Sequence, residues 1–199
     1  MKNDWKKAIK ILKNDGIVVL STDTLYGIIG KAMSKRVVEK IYEIKGRNEN
    51  KPFIVLIASY NDLRLFEVKI GKEQAKFLKK IWPGKVSVIL PCKLSKFKYI
   101  HRGTNGIAFR MIGPRNKNLY NLIKKVGPLV APSANPEGLP PAETIKQAKA
   151  YFSPKHCLGP NLYINGGKRK LKPSTLIKLE NNSFVILRQG EKKLKRISE

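Results

Sequence analysis

The sequence is short of acid, of sulfur and of imidazole. Fourteen Asp and Glu stand against 41 Lys and Arg, and the 199 residues hold only two cysteines and two histidines. Cys92, Cys157, His101 and His156 form no CxxC and no cluster, which excludes a disulfide framework and argues against a structural zinc site. Cys157 directly follows His156, but adjacent side chains face apart and Gly and Pro come soon after, so the pair is not read as a nucleophilic dyad. No apolar run approaches the ~20 residues that span a bilayer. The N-terminus lacks a continuous apolar stretch and a small-residue cleavage site, so the expectation is a soluble, cytoplasmic protein with no membrane partner. Neither GxxxxGK[ST] nor GxGxxG occurs, so no P-loop or Rossmann nucleotide site is supported.

What the chain does have is apolar content and positive charge. Hydrophobic residues make up 42%, enough for one globular domain without staples, expected over residues 1–190 with a charged tail at 191–199. The net charge of +27 favours polyanionic partners such as nucleic acid or nucleotide phosphates. Lysines outnumber arginines 32 to 9 and many, such as Lys6, Lys40 and Lys149, are scattered. A Lys-rich drift in composition leaves the same trace, so charge alone keeps both readings open.

Apolar periodicity predicts a first helix through Trp5, Ala8, Ile9 and Leu12 with Asp4 as its cap, then a strand at 17–20 and a loop from Ser21 to Gly30. A second helix, capped by Ser34 and stopped by Gly46, carries Val37, Val38, Ile41, Tyr42 and Ile44 inward. Strands follow at 53–58, 86–90, 106–112 and 128–131. Helical patterns run near 61–66, 73–82 and 117–125, and from about Glu143. A basic loop covers 93–105, and short strands at 162–164, 175–179 and 184–187 close the chain. Interleaved helices and apolar strands indicate an α/β domain with a mixed sheet.

Polar residues crowd three strand ends, where sites in open α/β sheets gather. Ser21-Thr22-Asp23-Thr24-Leu25-Tyr26-Gly27 offers hydroxyls after a buried strand, or an ordinary capping turn. The stretch 45–52, Lys-Gly-Arg-Asn-Glu-Asn-Lys-Pro, holds three cations at a helix end. If the backbone is extended there, Lys45 and Arg47 share a face and could clamp a triphosphate; helix C-termini also favour cations for their own sake. Ala131-Pro132-Ser133-Ala134-Asn135-Pro136-Glu137-Gly138 ends a strand in a turn that presents a hydroxyl and an amide.

In order and spacing these segments resemble the YrdC family of threonylcarbamoyl-AMP synthases. The first motif matches Ser21 to Gly27, the Lys-x-Arg motif matches Lys45, Arg47, Lys51 and Pro52, and Trp82-Pro83-Gly84 is the family's turn. Arg110 is its strand arginine and Ser133-Ala134-Asn135 its Ser-x-Asn. Pro173-Ser174-Thr175 and Arg188-Gln189-Gly190 close the match, which covers about residues 5 to 190. Ser21 stands in place of a Pro, Lys85-Val86-Ser87 in place of Pro-Leu-Thr, and Ile112 in place of a Pro.

The resemblance implies the short, single-domain form, with a curved mixed sheet flanked by helices and a basic concave face. It implies that L-threonine, bicarbonate or CO2, and ATP are joined into threonylcarbamoyl-adenylate and pyrophosphate for a tRNA modification. By motif position, Lys45 and Arg47 are catalytic; Arg47, Lys51, Ser133, Asn135 and Arg188 bind ATP; and Thr24, Arg110 and Ser174 bind threonine. Mg2+ is expected on the triphosphate, mostly through phosphate oxygens and water, with no protein ligand nominated, and a downstream threonylcarbamoyl transferase complex is expected to take the product. The alternatives are a non-catalytic protein that binds tRNA or double-stranded RNA on the basic face, and a related carbamoyl-transfer domain of larger hydrogenase-maturation proteins.

Overall fold

The computed structural model describes residues 2–48, 50–152, 159–180 and 183–194. The helices are α1 (Lys2–Lys13), α2 (Lys35–Lys45), α3 (Lys72–Ile81), α4 (Lys98–His101), α5 (Lys117–Val126) and α6 (Ile145–Tyr151). The strands are β1 (Val18–Ser21), β2 (Tyr26–Lys31), β3 (Ile54–Ile57), β4 (Val86–Pro91), β5 (Gly106–Met111), β6 (Leu129–Val130), β7 (Leu162–Tyr163), β8 (Thr175–Glu180) and β9 (Ser183–Arg188). Among the described residues they form one sheet in the order β7-β1-β2-β6-β3-β5-β4-β8-β9. Three pairs are parallel (β1/β7, β3/β5, β4/β8) and the other five antiparallel, so the sheet is mixed as expected.

The sheet is apolar on both faces, and alternation decides which layer each residue joins. Val18 and Leu20 of β1, with Leu56 of β3, pack against Ala8 and Leu12 of α1 and Leu119, Leu122 and Ile123 of α5. Ile17, Val19, Val55 and Ile57 face the other way, toward Val37, Val38 and Ile41 of α2 and the aromatic cluster of Phe53, Phe66 and Phe109. No described helix is long and apolar enough to cross a membrane.

Several local expectations are corrected. The stretch 21–30 is not all loop: Tyr26–Lys31 is β2, set between β1 and β6. Its glycines, Gly27 and Gly30, weaken the strand signal that Ile28 and Ile29 carry. The basic stretch 93–105 holds a 3₁₀ turn at Ser95–Phe97 and then α4. Phe97 and Ile100, three apart, enter the core and drive that turn. Asp4 lies inside the first turn of α1 rather than at its cap. Ser34 precedes α2, but its hydroxyl donates to Asp15 Oδ2 at 2.9 Å instead of capping the helix.

Candidate active site

A cavity of about 570 Å³ opens on the face of the sheet that α1 and α5 share. Strand register explains its floor. Ile54 pairs with Ala108, Ala108 with Ile89, and Ile89 with Lys178, so one row of same-face side chains crosses four strands. Beside that row, Leu56 pairs with Arg110 and Leu176 with Arg188, placing two arginines next to an apolar floor of small and branched residues.

Arg110 is 3% exposed. Its Nη1 donates to Thr24 Oγ1 at 3.2 Å, and Nη2 lies 3.1 Å from Asp23 Oδ1 as an ion pair without hydrogen-bond alignment. Its Nε, buried, has no hydrogen-bond partner among the described residues. Burial lowers its pKa, and Asp23 opposes that. Thr24 is fixed in turn: its amide donates to Thr22 Oγ1 at 3.2 Å, and the Thr22 hydroxyl donates to the Leu25 carbonyl at 2.8 Å.

The two closing motifs meet backbone to backbone. Gly190 N donates to Thr175 Oγ1 at 3.0 Å, and a Cβ on Gly190 would lie 2.2 Å from Pro173 O and 2.6 Å from Thr175 N. Only glycine permits that approach. It sets Arg188 so that Nη2 donates to Ser174 O at 2.9 Å, while the Ser174 and Ser87 hydroxyls share a bond of 2.8 Å.

On the opposite wall, α2 ends where Gly46 turns left-handed at φ 56°, with Gly46 N and Arg47 N bonding back to the carbonyls of Glu43 and Tyr42. The backbone is therefore not extended at 45–47, and Lys45 and Arg47 part ways. Arg47 lines the cavity, with Nε donating to Lys51 O at 3.1 Å and its guanidinium 5.3 Å from the Phe53 ring centre.

Lys45 is 1% exposed and is not part of the wall. Its ammonium donates to Ser133 O at 2.6 Å and to Asn135 O. Burial, and then the charge of Arg47, push its pKa down to about 7. Lys51 pairs with Glu137 outside the wall. Asn135 Nδ2 donates to the Pro136 and Leu139 carbonyls at 2.8 and 2.7 Å, leaving a buried Oδ1 with no partner among the described residues.

Thus Thr24, Arg47, Arg110, Ser133, Ser174 and Arg188 line one cavity, whereas Lys45, Lys51 and Asn135 sit behind or beside it. Arg188 feels the other two arginines: its pKa is lowered first by burial, then by the charges of Arg110 and Arg47. Sequence reasoning did not single out Thr22, Asp23, Thr104, Leu176, Lys178 or Glu137. Thr22, Asp23 and Glu137 lay inside the quoted motifs, but Thr104 and Lys178 carry no local signal. His156 and Cys157 lie outside the described residues.

No carboxylate lines the cavity, and no group of three or more His, Cys, Asp or Glu is placed to hold a metal ion, among the described residues.

A family model, Sua5–YciO–YrdC, described as telomere recombination, matches residues 10–190. The threonylcarbamoyl-AMP synthase of Pyrococcus abyssi is 30% identical over 201 residues, which cover 98% of this chain and 57% of that protein. That of Bacillus subtilis is 35% identical over 187 residues, covering 92% and 52%. The chain thus spans about half the length of these curated relatives. Among solved structures, Pyrococcus abyssi Sua5 complexed with L-threonine aligns with a TM-score of 0.82 at 29% identity, covering 94% of this chain and 54% of that one.

Proposed function

The chain belongs to the Sua5–YciO–YrdC family, and on that premise we propose that it is a threonylcarbamoyl-AMP synthase. One observation carries the proposal: the guanidinium groups of Arg47, Arg110 and Arg188, brought from the end of α2, from β5 and from β9, converge on one cavity. Three cations that raise each other's electrostatic cost suit a polyanion and a carboxylate bound together, and they are held in place before the ligands arrive.

In this reading Arg110, with Thr24 and Ser174, holds the carboxylate and amine end of L-threonine. Arg47 and Arg188, with Ser133, hold ATP at the neighbouring wall. The threonine amine adds to CO2 with loss of a proton to solvent, or to bicarbonate with loss of water, to give a carbamate, and a carbamate oxygen attacks the α-phosphorus of ATP. Pyrophosphate leaves with the electron pair of the broken P–O bond, and no covalent enzyme intermediate is needed. The side chains contribute alignment and charge neutralisation.

Magnesium comes as the counter-ion of the triphosphate, bound by phosphate oxygens and water. Lys45 takes a narrower role than direct contact: through the Ser133 and Asn135 carbonyls it positions the turn that carries Ser133. The adenylate is an activated intermediate, and a separate transferase places its threonylcarbamoyl group on tRNA.

Incubation with ATP, L-threonine, bicarbonate and magnesium is expected to release pyrophosphate only when threonine and bicarbonate are both present. Release without threonine, or no release, rejects the synthase reading.

A further inference from the structure

Beside the cavity, the carboxylate of Glu137 takes up a backbone N–H and an ammonium from the loop that follows Arg47. Its backbone N–H donates to Lys45 O at 2.9 Å, which docks the turn after Ser133-Ala134-Asn135 onto the end of α2. From that fixed point Oε2 accepts the Asn48 amide and Oε1 accepts the Lys51 ammonium. Arg47, the cavity-lining neighbour of Asn48 in sequence, also feels the carboxylate's charge. The Lys51 ammonium, and then the Asn48 backbone N–H, lower the pKa of Glu137 and so favour its carboxylate form. A backbone N–H, an ammonium and a nearby guanidinium are the donors by which loops grip phosphate.

We propose that Glu137 is an internal anion that occupies the phosphate-gripping loop around Arg47, Asn48 and Lys51 and must be displaced when a polyphosphate binds, so that it sets the affinity of the site. The inference builds on the reading of the cavity as a nucleotide site. A phosphate group carries roughly twice the charge of a carboxylate and three acceptor oxygens, so it wins the competition. It does so at a cost, because a contact must break and the displaced carboxylate then lies close to the incoming negative charge.

The pair is partly exposed, with 57% of the Lys51 side chain and 27% of the Glu137 side chain open to solvent. Exposed ion pairs are weak, so the effect is modest: about 1.5-fold to fivefold in affinity. The opposing possibility is that Glu137 latches the loop into its binding shape, in which case its loss weakens binding.

The test is calorimetric titration of inorganic tripolyphosphate, without magnesium, into the wild type, Glu137→Gln and Glu137→Ala, with thermal melts to verify folding. The Gln variant keeps an acceptor for the Asn48 amide and removes the charge. It is expected to bind tripolyphosphate about 1.5-fold to fivefold more tightly than wild type, with Glu137→Ala also tighter. Unchanged or weaker binding by folded Glu137→Gln overturns the proposal; should that variant fail to fold, the same criterion applies to Glu137→Ala. Absence of tripolyphosphate binding in the wild type overturns it as well. Because the probe is inorganic, wild type that binds it yet makes no adenylate would refute the synthase reading and leave this inference standing.

Discussion

Arg110→Lys is expected to weaken L-threonine binding by roughly ten- to a hundredfold while the protein stays folded, measured by calorimetric titration beside a thermal melt. The magnitude follows from the loss of one charge-assisted hydrogen bond of about 1.5–3 kcal/mol. Arg110 is buried on β5, pairs its charge with Asp23, bonds Thr24 and keeps a buried Nε without a partner among the described residues. A planar fork can grip a carboxylate with two parallel bonds, and an ammonium cannot. Lysine is the informative replacement because it preserves a cation beside Asp23. Alanine would leave that carboxylate without its partner and mix folding with binding. Threonine affinity unchanged in Arg110→Lys would remove Arg110 from the threonine site.

The second large effect belongs to Lys45. Lys45→Met is expected to destabilise the fold by about 2–4 kcal/mol at pH 7, because the Asn135 carbonyl loses the only partner found for it among the described residues and the Ser133 carbonyl keeps only the Asn135 amide. Out of a typical 5–15 kcal/mol, that is a serious loss. Pyrophosphate release is expected to fall with it, since the turn carrying Ser133 loses its support.

The pH dependence has a definite sign. The folded-state pKa of Lys45 is depressed from 10.5 to about 7. Between those values the unfolded chain holds a proton that the folded chain has released, so wild-type stability gains with rising pH across that window. Below pH 7 both states are protonated and the gain is absent. The stability gap between wild type and Lys45→Met should therefore widen from pH 7 to pH 9, by at most about 1.4 kcal/mol per pH unit. Urea unfolding at pH 7, 8 and 9 reads this directly; a gap that narrows would contradict the burial of the ammonium.

Much of this architecture was legible in the chain itself because apolar periodicity and turn residues are local signals. The runs that became β3, β4, β5 and α5 could be read within a residue or two at most ends. β2 was hidden because Gly27 and Gly30 dilute a short apolar run, and its strand character comes from neighbours on both sides. For the site, order along the chain was informative about Thr24, Arg110, Ser133, Ser174 and Arg188, all at or beside strand ends that the sheet gathers. Long-range pairing was not legible. No local pattern says that Asp23 meets Arg110, or that Glu137 reaches back to Asn48 and Lys51. Nor could spacing reveal that the left-handed turn at Gly46 sends Lys45 inward and Arg47 to the cavity, since two residues two apart separate only once the backbone between them is known.

The measurement closest to the central claim is a crystal structure of the protein with L-threonine and a non-hydrolysable ATP analogue bound together. The account predicts the threonine carboxylate on the guanidinium of Arg110 and the triphosphate between Arg47 and Arg188, within one cavity. Either ligand seated elsewhere, or both bound with Arg110 and Arg188 untouched, would contradict it.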